Sequence, residues 1–203
     1  KNSGLNKINL RDNEVTSYTN LNSGLSNNSV RCIIEWQGKL LIGTFDGIFD
    51  LDKATERIVK VAGYDDINKS LSHYSVYCFC VDRDETLWVG TFAGGVNYLN
   101  KFTNRFVLHK PQEEFNIRTG IYGAITYESP EDLWIATEGY GLLNYNKRTN
   151  ESHYYLIDPS VRFAFNTNII KSVFYEDGYV WCGTTKGEIY KFNIKNKKFS
   201  LYH

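Results

Sequence analysis

An all-β fold of repeated four-stranded antiparallel sheets is predicted by three observations. The first is a period. "KLLIGTFDGIFDLD" (39–52), "TLWVGTFAGGVNYLN" (86–100), "DLWIATEGYGLLNYN" (132–146) and "YVWCGTTKGEIYKFN" (179–193) share one pattern: an apolar run, Gly-Thr or Ala-Thr, a glycine, and a second apolar run. The Gly or Ala before each Thr falls at 43, 90, 136 and 183, in steps of 47, 46 and 47 residues. The second is composition: 15 Tyr, 12 Phe and 4 Trp against 3 Pro favour strands, because aromatic side chains fit a half-buried pleated surface. The third is that no segment sustains a 3.6-residue apolar period with capping residues, so little helix is expected.

Each unit resolves into four segments. The first strand is "VRCIIE" (30–35), "VYCFCV" (76–81), "IYGAIT" (121–126) or "IKSVFY" (170–175). Tight turns, "WQGK", "DRDE", "SPED" and "EDGY", lead into the second strand, where Leu41, Trp88, Trp134 and Trp181 share one position. Gly47, Gly95, Gly141 and Gly187 open the third strand, where the chain turns sharply. The turns "DKATE", "KFTN", "KRTN" and "IKNK" precede the fourth: "RIVKV", "RFVLHK", "SHYYL" and "FSLYH".

Four antiparallel strands at this period are the pattern of a β-propeller blade. Leucine-rich and β-helix repeats are too short, and an immunoglobulin-like sandwich does not repeat its Trp at such spacing. The expected blades are 20–63, 64–110, 111–157 and 158–203, in one propeller domain. Residues 1–19 read as the third and fourth strands of a preceding half-blade, with "RDNE" as their turn. About four and a half blades do not close a ring, so an open fragment of a larger propeller is expected. The absence of Met agrees with an excerpt.

Lys+Arg 23 balance Asp+Glu 23, which argues against a nucleic-acid footprint. No apolar run approaches the roughly 18 residues of a membrane helix. Cys32, Cys78, Cys80 and Cys182 form no CxxC pair and lie near no suitably spaced His, so neither zinc nor a disulfide scaffold is expected. Cys32–Cys78, at matching places on successive first strands, is the one bridge left open. No cofactor is implied. Catalytic motifs such as GxSxG and HExxH are missing, and "RDETLW" (83–88) is one residue short of the Asp-box turn of sialidases. The repeated Trp reads as packing between blades, and the Thr hydroxyl as a cap on a local backbone group.

With those residues in view, the chain resembles the two-component regulator propeller repeat. "LSNNSV" (25–30), "LSHYSV" (71–76), "LWVGT", "GGVNYL" and "FSLYH" carry the resemblance. Leu41 for Trp and Ala136 for Gly depart from it, as does the lack of Leu-Ser before the third and fourth blades. The resemblance implies a periplasmic sensor of a hybrid two-component regulator of Bacteroides-type bacteria. In that family, paired seven-bladed propellers precede an immunoglobulin-like domain, a membrane span, a histidine kinase and a DNA-binding regulator, and the usual signal is a carbohydrate fragment. The expected partners are therefore an oligosaccharide or other small-molecule signal, the remaining domains of a longer chain, and a second copy in a homodimer. A protein-docking propeller and a glycan-processing enzyme are the alternatives.

The expected site follows from propeller geometry. Loops entering the innermost strand and loops joining the second and third strands share one face, around the mouth of the central channel, and rigid blades hold them there. The residue after the first apolar position of each inner strand is Arg31, Tyr77, Tyr122 or Lys171. The adjoining loops add Phe45, Asp46, Phe92, Glu138, Tyr140 and Lys186. Two cations and two phenols suit a sugar acid or sulfated sugar, the rings offering flat apolar faces and Arg a bidentate grip on an anion. The same residues also have a purely structural reading: Tyr77 and Tyr122 pack on the next blade while Arg31 and Lys171 are solvated. Contacts where two propellers meet are a further possibility that the resemblance leaves open.

Overall fold

The described residues of the computed structural model, 3–62, 71–100, 106–109, 121–160 and 168–202, form strands and turns without a helix. A two-stranded sheet of β1 (Leu5–Ile8) and β2 (Val15–Tyr18) comes first. Four four-stranded antiparallel sheets follow. Blade I is β3 (Val30–Trp36), β4 (Lys39–Thr44), β5 (Gly47–Leu51) and β6 (Ile58–Ala62). Blade II is β7 (Val76–Val81), β8 (Leu87–Thr91), β9 (Val96–Leu99) and β10 (Val107–His109). Blade III is β11 (Tyr122–Tyr127), β12 (Asp132–Thr137), β13 (Leu142–Asn146) and β14 (Glu151–Tyr155). Blade IV is β15 (Ile170–Glu176), β16 (Tyr179–Thr184), β17 (Ile189–Asn193) and β18 (Lys198–Tyr202). The arrangement is an open run of propeller blades. The turn expected at 101–104 and the blade boundaries at 63/64 and 110/111 lie outside the described residues.

Local chemistry explains the turns. Gln37–Gly38 (φ 49° and 75°) and Asp177–Gly178 (φ 47° and 79°) have the paired positive φ of a two-residue type I′ hairpin, whose twist matches that of the strands. The corresponding turns of blades II and III are longer than the tight hairpins expected. In blade II the Asp82 carboxylate accepts backbone N–H groups of Asp84 and Thr86, both at 3.0 Å. In blade III the Ser129 hydroxyl accepts those of Glu131 and Asp132. Between third and fourth strands, Asp52, Asn146 and Asn193 each accept two backbone N–H groups, as side chains of this type do in Asx turns.

Blades meet face to face, each trailing face against the leading face of the next. Cys78, Cys80, Trp88 and Val96 of blade II pack on Leu133, Ile135, Leu143 and Tyr145 of blade III. Trp134, Ala136 and Leu142 of blade III pack on Val180, Cys182 and Phe192 of blade IV. Leu5 and Tyr18 cover Ile42 and Phe49 of blade I. Trp88 and Trp134 are each only 3% exposed. An aromatic side chain buries roughly 150–250 Å², worth about 4–6 kcal/mol at about 25 cal/mol per Å². Their indole N–H groups are also satisfied, by Asp82 Oδ2 at 2.8 Å and Glu128 Oε2 at 3.0 Å. Blade I has Leu41 in this place, and Trp36 of β3 donates instead to the Glu85 carbonyl of blade II at 2.7 Å.

The repeated Gly-Thr has two separate causes. The Thr44, Thr91, Thr137 and Thr184 hydroxyls donate to the carbonyls of Gly47, Gly95, Gly141 and Glu188, at 2.8–3.2 Å, and so close the turn into the third strand. The glycine permits close approach. A Cβ at Gly43 would lie 2.4 Å from Cys32 Sγ and 2.7 Å from Val76 Cγ1; at Gly90 it would lie 2.6 Å from Cys78 Sγ and 3.1 Å from the Tyr122 carbonyl. Blade III tolerates Ala136 because Ala124 stands where blades I and II carry Cys32 and Cys78. All four thiols are free, so the Cys32–Cys78 bridge is not formed. Burial pushes the thiols of Cys78, Cys80 and Cys182 up to about 12, and that of Cys32 upward as well.

Blades II and III are also tied by charge. The Asp82 side chain, fully buried, accepts from Lys147 Nζ of blade III at 2.7 Å as well as from Trp88. Burial pushes its carboxyl up, but Lys147, the indole N–H and the Thr86 N–H outweigh this and leave it below the usual carboxylate range.

Two outcomes are expected. Gly90→Ala costs about 1–3 kcal/mol in urea unfolding, as overpacking does. Gly183→Ala costs less than about 0.5 kcal/mol, because its Cβ would meet only the Ser172 side chain. The lowered Asp82 pKa stabilises the fold above the unfolded value of about 4, and this contribution fades as pH falls through the folded value. Asp82→Asn should therefore cost on the order of 2 kcal/mol at pH 7, and the gap to the wild type should narrow in urea melts near pH 3.

Candidate functional site

The first strands β3, β7, β11 and β15 neighbour one another in turn and form the inner edge of the blades. Each carries a register break near its start: between Val30 and Cys32, Val76 and Cys78, Tyr122 and Ile125, and Ile170 and Ser172. A β-bulge leaves one residue outside the ladder and re-aims its side chain, a common device beside functional sites. Arg31, Tyr77 and Lys171 are such residues. The turns after the second strands lie at the same end, since the Phe92 N–H donates to the Ser75 carbonyl and the Glu138 N–H to the Ile121 carbonyl, both at 3.0 Å.

Those two bonds also set the register of blade III. Ile121 corresponds to Ser75, so Tyr122 takes the place of Val76 and Gly123 that of Tyr77. Tyr122 is only 5% exposed, and burial pushes its phenol up to about 12. Aligning on the first β-branched residue shifts this strand by one. At Gly123 the next blade comes close, since a Cβ there would stand 3.2 Å from the Lys171 carbonyl.

Four of the ten expected residues form a continuous row between blades I and II. The Arg31 guanidinium lies 3.9 Å from the ring centroids of both Phe45 and Tyr77. Tyr77 stacks on Phe92 at 5.9 Å and 23°. Phe45 and Phe92 are each 39% exposed, so the row is open to solvent. Cation–π contacts of this kind contribute about 0.5–1 kcal/mol each at exposed sites. Among the described residues Arg31 makes no ion pair.

The remaining residues are placed otherwise. Asp46, beside Phe45, pairs with Lys60 at 3.0 Å and accepts from the Ser26 hydroxyl. Burial opposes ionisation of its carboxyl, but Ser26 and Lys60 outweigh that and hold it low. Lys171 pairs with Glu138 across blades III and IV. Tyr140 meets Tyr154 edge-on at 6.3 Å. Lys186 is exposed in the turn after β16, apart from the row.

Sequence reasoning missed His73 and Tyr74. Their rings stack at 4.1 Å, and His73 meets Phe92 at 5.6 Å, extending the row to six residues. The loop is pinned by buried Asn97, which accepts from the Ser72 N–H at 3.0 Å and donates to its hydroxyl at 2.8 Å. The signal lay in the His-Tyr pair of "LSHYSV", just before an inner strand, where Tyr74 is exposed and His73 half-buried.

Residues 70–93, which span this loop, β7 and β8, match the sequence model of the two component regulator propeller. That stretch of blade II is similar to a two-component regulator propeller repeat. The fold is shared with solved extracellular domains. It superposes on the extracellular domain of BT3049 of B. thetaiotaomicron, described as a hybrid two component system, with TM-score 0.72 and 20% identity over 89% of this chain. Against the extracellular domain of BT4673 of the same organism, also so described, the TM-score is 0.73 at 18% identity over 98%. The chain spans 25% of the length of each. No curated protein sequence matches it at comparable significance.

Within the matched stretch, the row has a titratable member. The Ser75 N–H donates to His73 Nδ1 at 3.1 Å, which requires that nitrogen to be unprotonated. Burial likewise holds the His73 pKa below its ordinary value. In an NMR titration His73 should titrate below about 6.5, and Phe92→Ala, which uncovers the ring, should move it upward.

Proposed function

We propose that this chain is part of the periplasmic sensor of a hybrid two-component regulator, which binds a carbohydrate fragment and signals to a histidine kinase outside these residues. The repeat at 70–93 and the described roles of the similar extracellular domains support the sensor reading. The ligand reading is carried by one observation: Arg31 held between two aromatic rings without an acidic partner among the described residues.

With two aromatic rings against the guanidinium, its N–H groups are what remain to meet a ligand. They suit a carboxylate or sulfate accepting two parallel hydrogen bonds. Tyr77, Phe92 and Phe45 offer flat apolar faces to a sugar ring, and the phenol adds a polar tip. Because Arg31 belongs to blade I and Tyr77 to blade II, a ligand on the row contacts both blades, and differential binding to two blade arrangements is the physical basis of a signal. Lys171 is a weaker candidate, since Glu138 already neutralises it.

The test is calorimetry of the chain with uronate-containing and sulfated oligosaccharides at two salt concentrations. Arg31→Ala should lower affinity at least tenfold. Arg31→Lys should recover little of it, because an ammonium lacks the planar fork, and Lys171→Ala should change affinity less than twofold. Binding should weaken as salt rises. Unchanged affinity in a folded Arg31→Ala/Lys171→Ala protein overturns the reading. Release of reducing ends from the sugar would favour a glycan-processing enzyme.

A further inference from the structure

The three seams between successive blades differ in what fills and ties them. Trp88 and Trp134 are buried in the seams II–III and III–IV, which Lys147–Asp82 and Lys171–Glu138 also cross. The seam between blades I and II has the smaller Leu41 in the place of the indole. Among the described residues no ion pair crosses it. Arg31 against Tyr77 ties it at the mouth, and Trp36 on the Glu85 carbonyl ties it at the far end of the inner strands.

A carboxylate sets this seam further apart. Asp50 of β5 stands opposite Leu41 and so shares its face. Its Oδ2 reaches Lys39 at 3.5 Å, but Oδ1 is buried without a hydrogen-bond partner. Ser75 Oγ and Ser152 Oγ are the other such atoms among the described residues, and both are hydroxyls. The matching positions of the next two blades are satisfied. Tyr98 stands opposite Trp88 and meets its ring at 5.2 Å. Asn144 stands opposite Trp134, and its amide donates to the Leu133 carbonyl at 3.3 Å. A carboxylate cannot donate such a bond. An oxygen left unpartnered away from water disfavours the closed seam, and opening returns it to solvent.

We propose that the seam between blades I and II is the joint of this chain: it opens more readily than the two seams after it, hydrating Asp50 and separating Arg31 from Tyr77. Local opening draws on the least stabilised contacts of a fold. Here the smaller side chain, the lack of a crossing ion pair and the unpartnered oxygen all fall on one seam. The row that starts at Phe45, Arg31 and Tyr77 spans the mouth of that seam, so it is assembled only while the seam is closed. What a ligand adds rests on the sensor reading above: one seated on both Arg31 and Tyr77 favours the closed seam.

The chain carries its own reporters, so the test needs no ligand. Cys32 lies in the seam I–II, Cys78 and Cys80 in the seam II–III, and Cys182 in the seam III–IV. All four thiols are free, and burial raises the pKa of each. Alkylation of the native chain, read peptide by peptide in a mass spectrometer, should modify Cys32 at least about tenfold faster than the other three. Cys32 is also the one half-buried thiol, so two substitutions separate simple access from opening. Asp50→Asn supplies the kind of amide that Asn144 uses, and Asp50→Leu removes the polar group. Each should slow Cys32 about fivefold and leave Cys78, Cys80 and Cys182 unchanged. Slowing in either folded variant supports the joint. A Cys32 rate unchanged or raised in both overturns it, as does any other thiol reacting as fast as Cys32 in the wild type. Neither result bears on whether Arg31 binds an oligosaccharide, and failure of that binding leaves the thiol rates as they stand.

Discussion

Sheet-to-sheet distance is the constraint on which the rest of this structure depends. Two twisted sheets can bury an indole between them only if the residue two positions further along that strand leaves room for the inner strands to converge. Gly43 and Gly90 leave that room, with neighbouring atoms already inside the space of a Cβ. Ala136 shows that the requirement concerns space rather than backbone conformation, since the smaller Ala124 beside it makes the methyl group tolerable. The Thr that follows each of these residues then closes the next turn through its hydroxyl. One dipeptide thus sets both how tightly blades pack and where the chain reverses.

That convergence also builds the candidate site. Inner strands brought side by side place their bulged residues at one end, next to the turns that follow the second strands. Arg31 of one blade then lies against a ring of its own turn and a ring of the next blade, and the row continues through Phe92 to His73 and Tyr74. No single blade contains the row. It exists because two blades are seated on each other.

Charge is distributed unevenly along that rim. Lys171 and Asp46 are each matched by an opposite charge from another segment, Glu138 and Lys60. Asp82 is matched by Lys147 while buried beneath the blade II–III interface. Arg31 is instead held by aromatic faces, which orient a cation without neutralising it. This difference, rather than formal charge, separates Arg31 from Lys171 and Lys147, which are engaged in ion pairs.

The blade pattern was legible in the sequence because it rests on short-range rules. Alternation of side chains, turn residues and a repeated small residue act within a few positions, and repetition multiplied the signal from Lys39 to Asn193. Leu41, which breaks the pattern, was legible as a departure, but its replacement by Trp36 was not, because that indole reaches the next blade across a hairpin. The position of Tyr122 was misaligned for a related reason: "IYGAIT" and "VYCFCV" look alike from their first residue, and only the hydrogen bonds to Ser75 and Ile121 show the one-residue offset. The sequence by itself determined the fold class and the strands. Only the tertiary structure decided which rim residues meet, because Arg31 with Tyr77, Lys171 with Glu138 and Phe92 with His73 are brought together by sheet packing and bulges, which no local pattern encodes.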